Sequence, residues 1–149
     1  MSAWPEASVD AVARLRALAA GLPHVFLAEC VLDAPFERVW EIVGDLERGV
    51  PRFETSVRSA RITAREGARL RLETRHPLGP RARFEVLLRP GLCVMRARFA
   101  DVGMAAAPEP EGGRTRLAHY EGTRLLGRLA WPLLRRNIAA DFAALRRLL

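Results

Sequence analysis

Two neighbouring stretches fix what the middle of this chain can become. Leu70-Arg71-Leu72-Glu73-Thr74-Arg75 and Arg81-Ala82-Arg83-Phe84-Glu85-Val86 alternate apolar or small residues with charged ones, and Pro77-Leu78-Gly79-Pro80 separates them. Successive side chains of a β-strand point to opposite faces. Period two therefore places Leu70, Leu72, Thr74, Ala82, Phe84 and Val86 on one face and the arginines on the other. That is the pattern of an antiparallel sheet with one wet face, and its apolar face needs a cover from elsewhere in the chain.

The flanking segments supply candidates for the cover. His24 to Leu32 is an apolar, β-favouring run that leads through Asp33-Ala34-Pro35 into helical spacing. Pro35 suits a first helical position and Glu37 the positive end of the dipole. Phe36, Val39, Trp40 and Val43 share a face in a helix ending near Asp45. Leu46 to Phe53 reads as a short helical turn broken by Gly49 and Pro51. Turns then follow at Gly67, Pro77–Pro80, Pro90-Gly91 and Pro108–Gly113. In the last quarter Leu126, Leu129, Ala130, Leu133, Leu134, Ile138, Phe142, Leu145 and Leu149 advance by three or four, and Pro132 kinks this helix or marks its true start. At the other end, Ser8 to Leu22 reads as a helix carrying Val9, Val12, Leu15, Leu18 and Leu22, capped by Ser8 and stopped by Gly21 and Pro23. The expected fold is α+β: a helical extension over 1–23, then one domain over 24–149 in which about seven antiparallel strands face a long C-terminal helix.

Size and charge narrow the function classes. At 149 residues the chain buries about two-thirds of its unfolded surface, enough for one core without staples. Cys30 and Cys93 lie in apolar stretches and read as buried free thiols. All 24 basic side chains are arginine. The charge is uneven, with a balance of −3 over residues 1–60 and +10 over 61–149. On the middle strands Arg71, Arg75, Arg81, Arg83 and their neighbours emerge on the outer face, with Glu73 and Glu85 as cross-strand partners. Such a face allows weak contact with an anionic membrane surface. It lacks the interleaved aromatics of a single-strand platform, so no specific nucleic-acid partner is expected. The start has no basic leader region and the apolar runs are short, so a cytoplasmic protein is expected. No glycine-rich phosphate loop or nucleophile elbow is present, and no cofactor is expected.

Two short motifs carry a resemblance. Val31-Leu32-Asp33-Ala34-Pro35-Phe36-Glu37-Arg38-Val39-Trp40 resembles the opening strand and helix start of the START-like, polyketide cyclase/dehydrase (SRPBCC, helix-grip) superfamily. Gly113-Arg114-Thr115-Arg116-Leu117 resembles that superfamily's lead-in to its last strand. The resemblance covers His24 to Leu149 and implies a curved sheet wrapped around the C-terminal helix, with a cavity between them for a hydrophobic ligand such as a lipid, quinone or polyketide-like aromatic. The motifs themselves are structural and carry no catalytic residue.

Extending period two along the strands names the lining of such a cavity: Leu72, Thr74 and His76, then Phe84 and Val86, Met95 and Phe99, Met104, and Leu117, roofed by Leu133, Ile138 and Phe142. Ordinary core packing is the alternative for each of them. On the last strand His119 and Glu121 fall on one face two residues apart, within about 7 Å of each other, close enough to share or orient a proton. They are the candidate acid/base pair of a cyclase/aromatase-type enzyme. The alternative is that Glu121 lies in solvent at a strand end or pairs with an arginine. His24, His76 and His119 have no metal-ligand spacing, so no metal site is expected. Oligomeric state is not encoded in any of these patterns.

Overall fold

In a computed structural model that describes residues 9–149, the chain forms one seven-stranded antiparallel sheet with helices on both faces. Helix α1 (Ala11–Ala20) leads into β1 (Val25–Leu32), which is followed by α2 (Phe36–Val43) and the single turn α3 (Val50–Phe53). The strands β2 (Ser59–Glu66), β3 (Arg69–Arg75), β4 (Arg81–Arg89), β5 (Leu92–Arg96), β6 (Ala100–Pro108) and β7 (Thr115–Thr123) then run as a meander. A short 3₁₀ turn and α4 (Trp131–Leu148) close the chain. The sheet order is β1-β7-β6-β5-β4-β3-β2, so the first strand returns to pair with the last.

The alternation of β3 and β4 produces the hairpin it implies, with Leu72 opposite Phe84 and Leu70 opposite Val86. Their outward partners pair as expected, Arg71 with Glu85 at 3.2 Å and Arg81 with Glu73 at 3.8 Å. These ion pairs are largely exposed and specify register more than they stabilise. On the inner face Leu70, Leu72, Phe84, Val86, Cys93, Met95, Met104 and Leu117 pack against α2, α3 and the Ile138, Phe142 and Leu145 side of α4. On the outer face α1 buries Val12 and Leu15 against Ala105, Ala118 and Tyr120.

Element ends differ from expectation in instructive ways. Helix α1 starts at Asp10, whose carboxylate accepts from the Ala13 N–H at 2.8 Å. Ser8, the expected cap, lies outside the described residues. Val9, ahead of the helix, and Leu18, off the Val12, Leu15 and Ala19 stripe that packs on the sheet, are exposed. Pro35 is the cap of α2 rather than its first residue, and Pro132 occupies the first turn of α4, where its missing N–H costs nothing. No described helix is long and apolar enough to cross a membrane.

Candidate functional site

A cavity of about 440 Å³ opens between the sheet and α4. Leu72, Thr74, Phe84, Met95 and Val102 form its sheet wall, Leu134 and Asn137 of α4 face them, and Val50, Glu54 and Val57 close one end. His76 and Arg81, at the tip of the β3–β4 hairpin, border it as well. Glu54 and Glu121 are the acids on this wall.

Among the residues expected to line a cavity, Leu72, Thr74, His76, Phe84 and Met95 do so. Val86, Met104, Leu117, Ile138 and Phe142 belong instead to the packed core beside it. Two expectations are overturned. Phe99 is 43% exposed because β5 ends at Arg96 and the chain turns before β6, which breaks the alternation; the Arg98 guanidinium covers its ring. Leu133 is 60% exposed because α4 turns its Leu134, Ile138 and Asp141 side inward, leaving Leu133 off that stripe.

His119 and Glu121 do share the inner face of β7, and both are buried, which sets aside a solvated Glu121. The His119 ring is pinned at one nitrogen: Nδ1–H donates to the Gly103 carbonyl on β6 at 2.9 Å. Nε2 therefore points the other way. It meets Glu121 Oε1 at 3.2 Å, Asp141 Oδ2 at 3.3 Å and Glu54 Oε2 at 3.5 Å. Asp141 comes from α4, and its second oxygen accepts the Thr55 N–H at 2.8 Å. Glu54 follows α3, with Ser56 Oγ donating to its other oxygen at 3.4 Å. One imidazole and three carboxylates thus converge in a buried site whose Glu54 and Glu121 edge is the cavity wall.

Electrostatics divide these groups. Burial pushes the Glu54 carboxyl well above the usual carboxylate range, and the neighbouring Glu121 charge pushes it further. Burial alone would lower the His119 imidazole, but the surrounding carboxylates outweigh it and hold it well above its ordinary value. Glu121 and Asp141 are also penalised by burial, yet hydrogen bonds with Glu54 and His119 keep both below the usual range. Without any other ion, these directions favour protons on His119 and Glu54 over protons on Glu121 and Asp141. Cys93, wholly buried nearby, is pushed up to about 12 and is no nucleophile.

Sequence reasoning missed Glu54 and Asp141. Asp141 had a signal: it stands three residues after Ile138 and four before Leu145, on the buried stripe of α4, where an acid needs a partner. Glu54 had none, since it follows a four-residue helix and precedes an irregular loop. The histidines keep separate partners, His24 on Asp101 and His76 on the Leu78 N–H. A donor set with metal-like spacing nevertheless assembles around His119, from Glu121 on the same strand and from Glu54 and Asp141 remote in sequence, which histidine spacing does not register.

No known family profile and no curated protein matches this chain. Its likeness to known proteins is structural. A Thermus thermophilus protein superposes with a TM-score of 0.60 at 24% identity, over 83% of this chain and 95% of that one. The Zhui aromatase/cyclase from Streptomyces sp. R1128 gives 0.64 at 14% identity, over 82% and 90%. A START superfamily protein from Mycobacterium smegmatis gives 0.59 at 17%, over 85% and 99%. At these identities the likeness establishes the fold: the chain has the helix-grip fold of START-superfamily and aromatase/cyclase proteins.

Proposed function

We propose that this helix-grip protein binds a small hydrophobic molecule, of the size of a lipid chain, quinone or polyketide-like aromatic, in the cavity between the sheet and α4. The observation that carries this reading is the cavity itself. Its volume of about 440 Å³ falls in the range of small-molecule sites, and its wall is apolar apart from a few convergent polar groups at one end and the mouth. Apolar contact supplies affinity at about 25 cal/mol per Å² buried, while Thr74, His76 or Glu121 fix orientation. Anilinonaphthalene sulfonate, an aromatic anion whose sulfonate suits Arg81 at the mouth, serves as the probe. It is expected to fluoresce with one-to-one stoichiometry in the native protein and to be lost in Ala82→Trp, which fills the cavity from β4. Native mass spectrometry that finds no small molecule, together with probe fluorescence unaffected by Ala82→Trp, rejects the reading.

A second reading is favoured by the location of the acids. Glu54 and Glu121 border the cavity while His119 stands behind them, so an enzyme of the cyclase/aromatase kind would exchange protons with its substrate through carboxyls. Protonated Glu54 is the acid, ionised Glu121 the base, and His119 the group that holds their charges apart. In this reading the expected acid/base pair of His119 and Glu121 becomes a relay that also needs Glu54. Glu54→Gln and Glu121→Gln should each lower turnover of an aldol cyclisation by 100-fold or more while probe binding survives.

A further inference from the structure

We propose that Glu54, His119, Glu121 and Asp141 form a binding site for one divalent first-row transition-metal ion, of which Zn²⁺ is the type. The argument begins with His119. Its Nδ1–H is committed to the Gly103 carbonyl, the outer-shell bond that ordinarily fixes a metal-binding imidazole and leaves the Nε2 lone pair free. Nε2 points at three carboxylate oxygens from three different elements, at 3.2, 3.3 and 3.5 Å. All four donor atoms lie within 4.8 Å of one another. In a tetrahedral site with bonds of about 2.1 Å, donors sit about 3.4 Å apart. The three distances from Nε2 match that edge.

A single proton on the imidazole satisfies the same arrangement poorly. Charge-assisted N–H···O bonds run at about 2.7–2.9 Å, and a single Nε2–H can be directed at one of the three carboxylates. With Glu54 ionised the others are left over: Glu54 Oε2 and Glu121 Oε1 are buried without an aligned donor, in residues only 4% and 6% exposed, and pairing them takes a second proton, on Glu54. Unpaired buried carboxylate oxygens are costly, and a cation at the centre of the four donors satisfies both at once. Asp141 is already oriented for the purpose, since its other oxygen is held by the Thr55 N–H. With a neutral imidazole, three carboxylates and a divalent ion the cluster carries a net charge of −1, the same as with an imidazolium and a protonated Glu54, so the surroundings need no further change.

The donor set selects the class of ion. One imidazole with three carboxylates suits Zn²⁺, Fe²⁺ or Mn²⁺, whereas Ca²⁺ takes six to eight oxygens at 2.3–2.6 Å and needs a wider cage. The ion would lie at the polar end of the cavity, behind the Glu54 and Glu121 edge. It would displace the protons on which the relay of the second reading depends, so the two loadings of the cluster exclude one another.

Cobalt is the test ion, because four-coordinate Co²⁺ with nitrogen and oxygen donors gives visible bands far stronger than those of the hydrated ion. Full-length protein stripped by a chelator is titrated with Co²⁺. The expected result is saturation at one equivalent with those strong bands, reversal by Zn²⁺, and a raised unfolding temperature. Glu121→Gln and Asp141→Asn, checked for native near-ultraviolet dichroism, should weaken binding by more than the 10–100-fold typical of losing an outer-shell partner, whereas Glu29→Gln, on the outer face, should not. Absence of saturable Co²⁺ binding to the wild-type protein overturns the proposal, whatever the variants do. So does undiminished affinity in the two folded variants. Probe binding is measured on the same metal-free sample, so failure of the metal site and failure of the ligand reading are seen separately.

Discussion

Gly103→Ala tests how the outer helix and the buried site are mechanically joined. Gly103 on β6 pairs with Tyr120 on β7, whose ring lies across the glycine beneath α1. A Cβ at this position would stand 2.3 Å from Tyr120 Cε1, 2.5 Å from Cζ and 2.8 Å from Leu15 Cδ1. Ordinary contact begins at 3.4 Å, so the ring must retreat by about 1 Å. It has nowhere to go, because Tyr120 is 1% exposed and Leu15 is fully buried. Overpacking of this sort costs about 1–3 kcal/mol, which for a chain of this length lowers the unfolding temperature by about 3–10 °C. The backbone of Gly103 does not require glycine, since its φ is not positive. Once the ring is removed the sign should therefore change: in a Tyr120→Val background the same methyl is neutral or stabilises by up to about 1 kcal/mol, as alanine does over glycine within a strand. Thermal and urea unfolding of the four proteins of this double-mutant cycle give the coupling directly. Equal cost of Gly103→Ala in both backgrounds would refute the argument, because it would place the penalty in the backbone and not in the ring.

Two further perturbations probe the frame around the site. Asp101 is fully buried and accepts from His24 at 2.6 Å, Arg124 at 2.6 Å and Arg96 at 3.2 Å, so Asp101→Asn should cost about 3 kcal/mol in chemical denaturation; a loss below 1 kcal/mol would mean the arginines simply move into solvent. The bidentate Arg16–Glu29 pair, 2.6 and 2.7 Å, ties α1 to β1 and holds the Glu29 carboxyl below its ordinary value of 4.5 through the hydrogen bonds from Arg16. A carboxyl lowered by folding stabilises the native state above its unfolded pKa and loses that contribution as pH falls through the folded value. Both partners touch water, so Glu29→Gln should cost only about 0.5–1 kcal/mol at pH 7, and the difference from wild type should vanish on acidification below pH 4.5; a difference that persists at pH 2 counts against the assignment.

Local pattern carried most of the fold because most elements here are specified locally. Alternation placed the apolar residues of β3 and β4 on one face, where Leu72 is found against Phe84, and the glycines of the Glu66-Gly67 and Pro90-Gly91 turns take positive φ of 60° and 80° as such turns demand. The spacing Phe36, Val39, Trp40, Val43 gave α2, and the repeat through Ile138, Phe142 and Leu145 gave α4. The failures lie where a period is interrupted. Alternation carried through Phe99 placed that ring inside, although β5 had ended three residues earlier and the turn is stitched by Arg124 to the Ala97 and Arg98 carbonyls, contacts 27 and 26 residues distant in sequence. Leu133 failed for a related reason: near the start of a helix, a residue one position off the buried stripe points to solvent.

The site was half legible for a different reason. His119 and Glu121 lie on one strand, so period two alone sets them side by side, but the cluster is completed by Asp141 from α4 and Glu54 from the segment after α3, which no local pattern connects to them. The arginine count bears on what that means. Twenty-four guanidinium groups are available in the chain, yet among the described residues none bridges to Glu54, Glu121 or Asp141. The sheet sends its arginines outward, where Glu73, Glu85, Glu29 and Asp101 use them. Three buried acids left with one imidazole cannot all be ionised without a further positive charge, so the cluster must be loaded either with protons or with a cation. The loading decides the chemistry at the cavity wall. Protons make Glu54 and Glu121 an acid and a base facing a hydrophobic ligand, whereas a metal ion closed in by four protein donors fixes both carboxylates as ligands and leaves that wall with no proton to exchange.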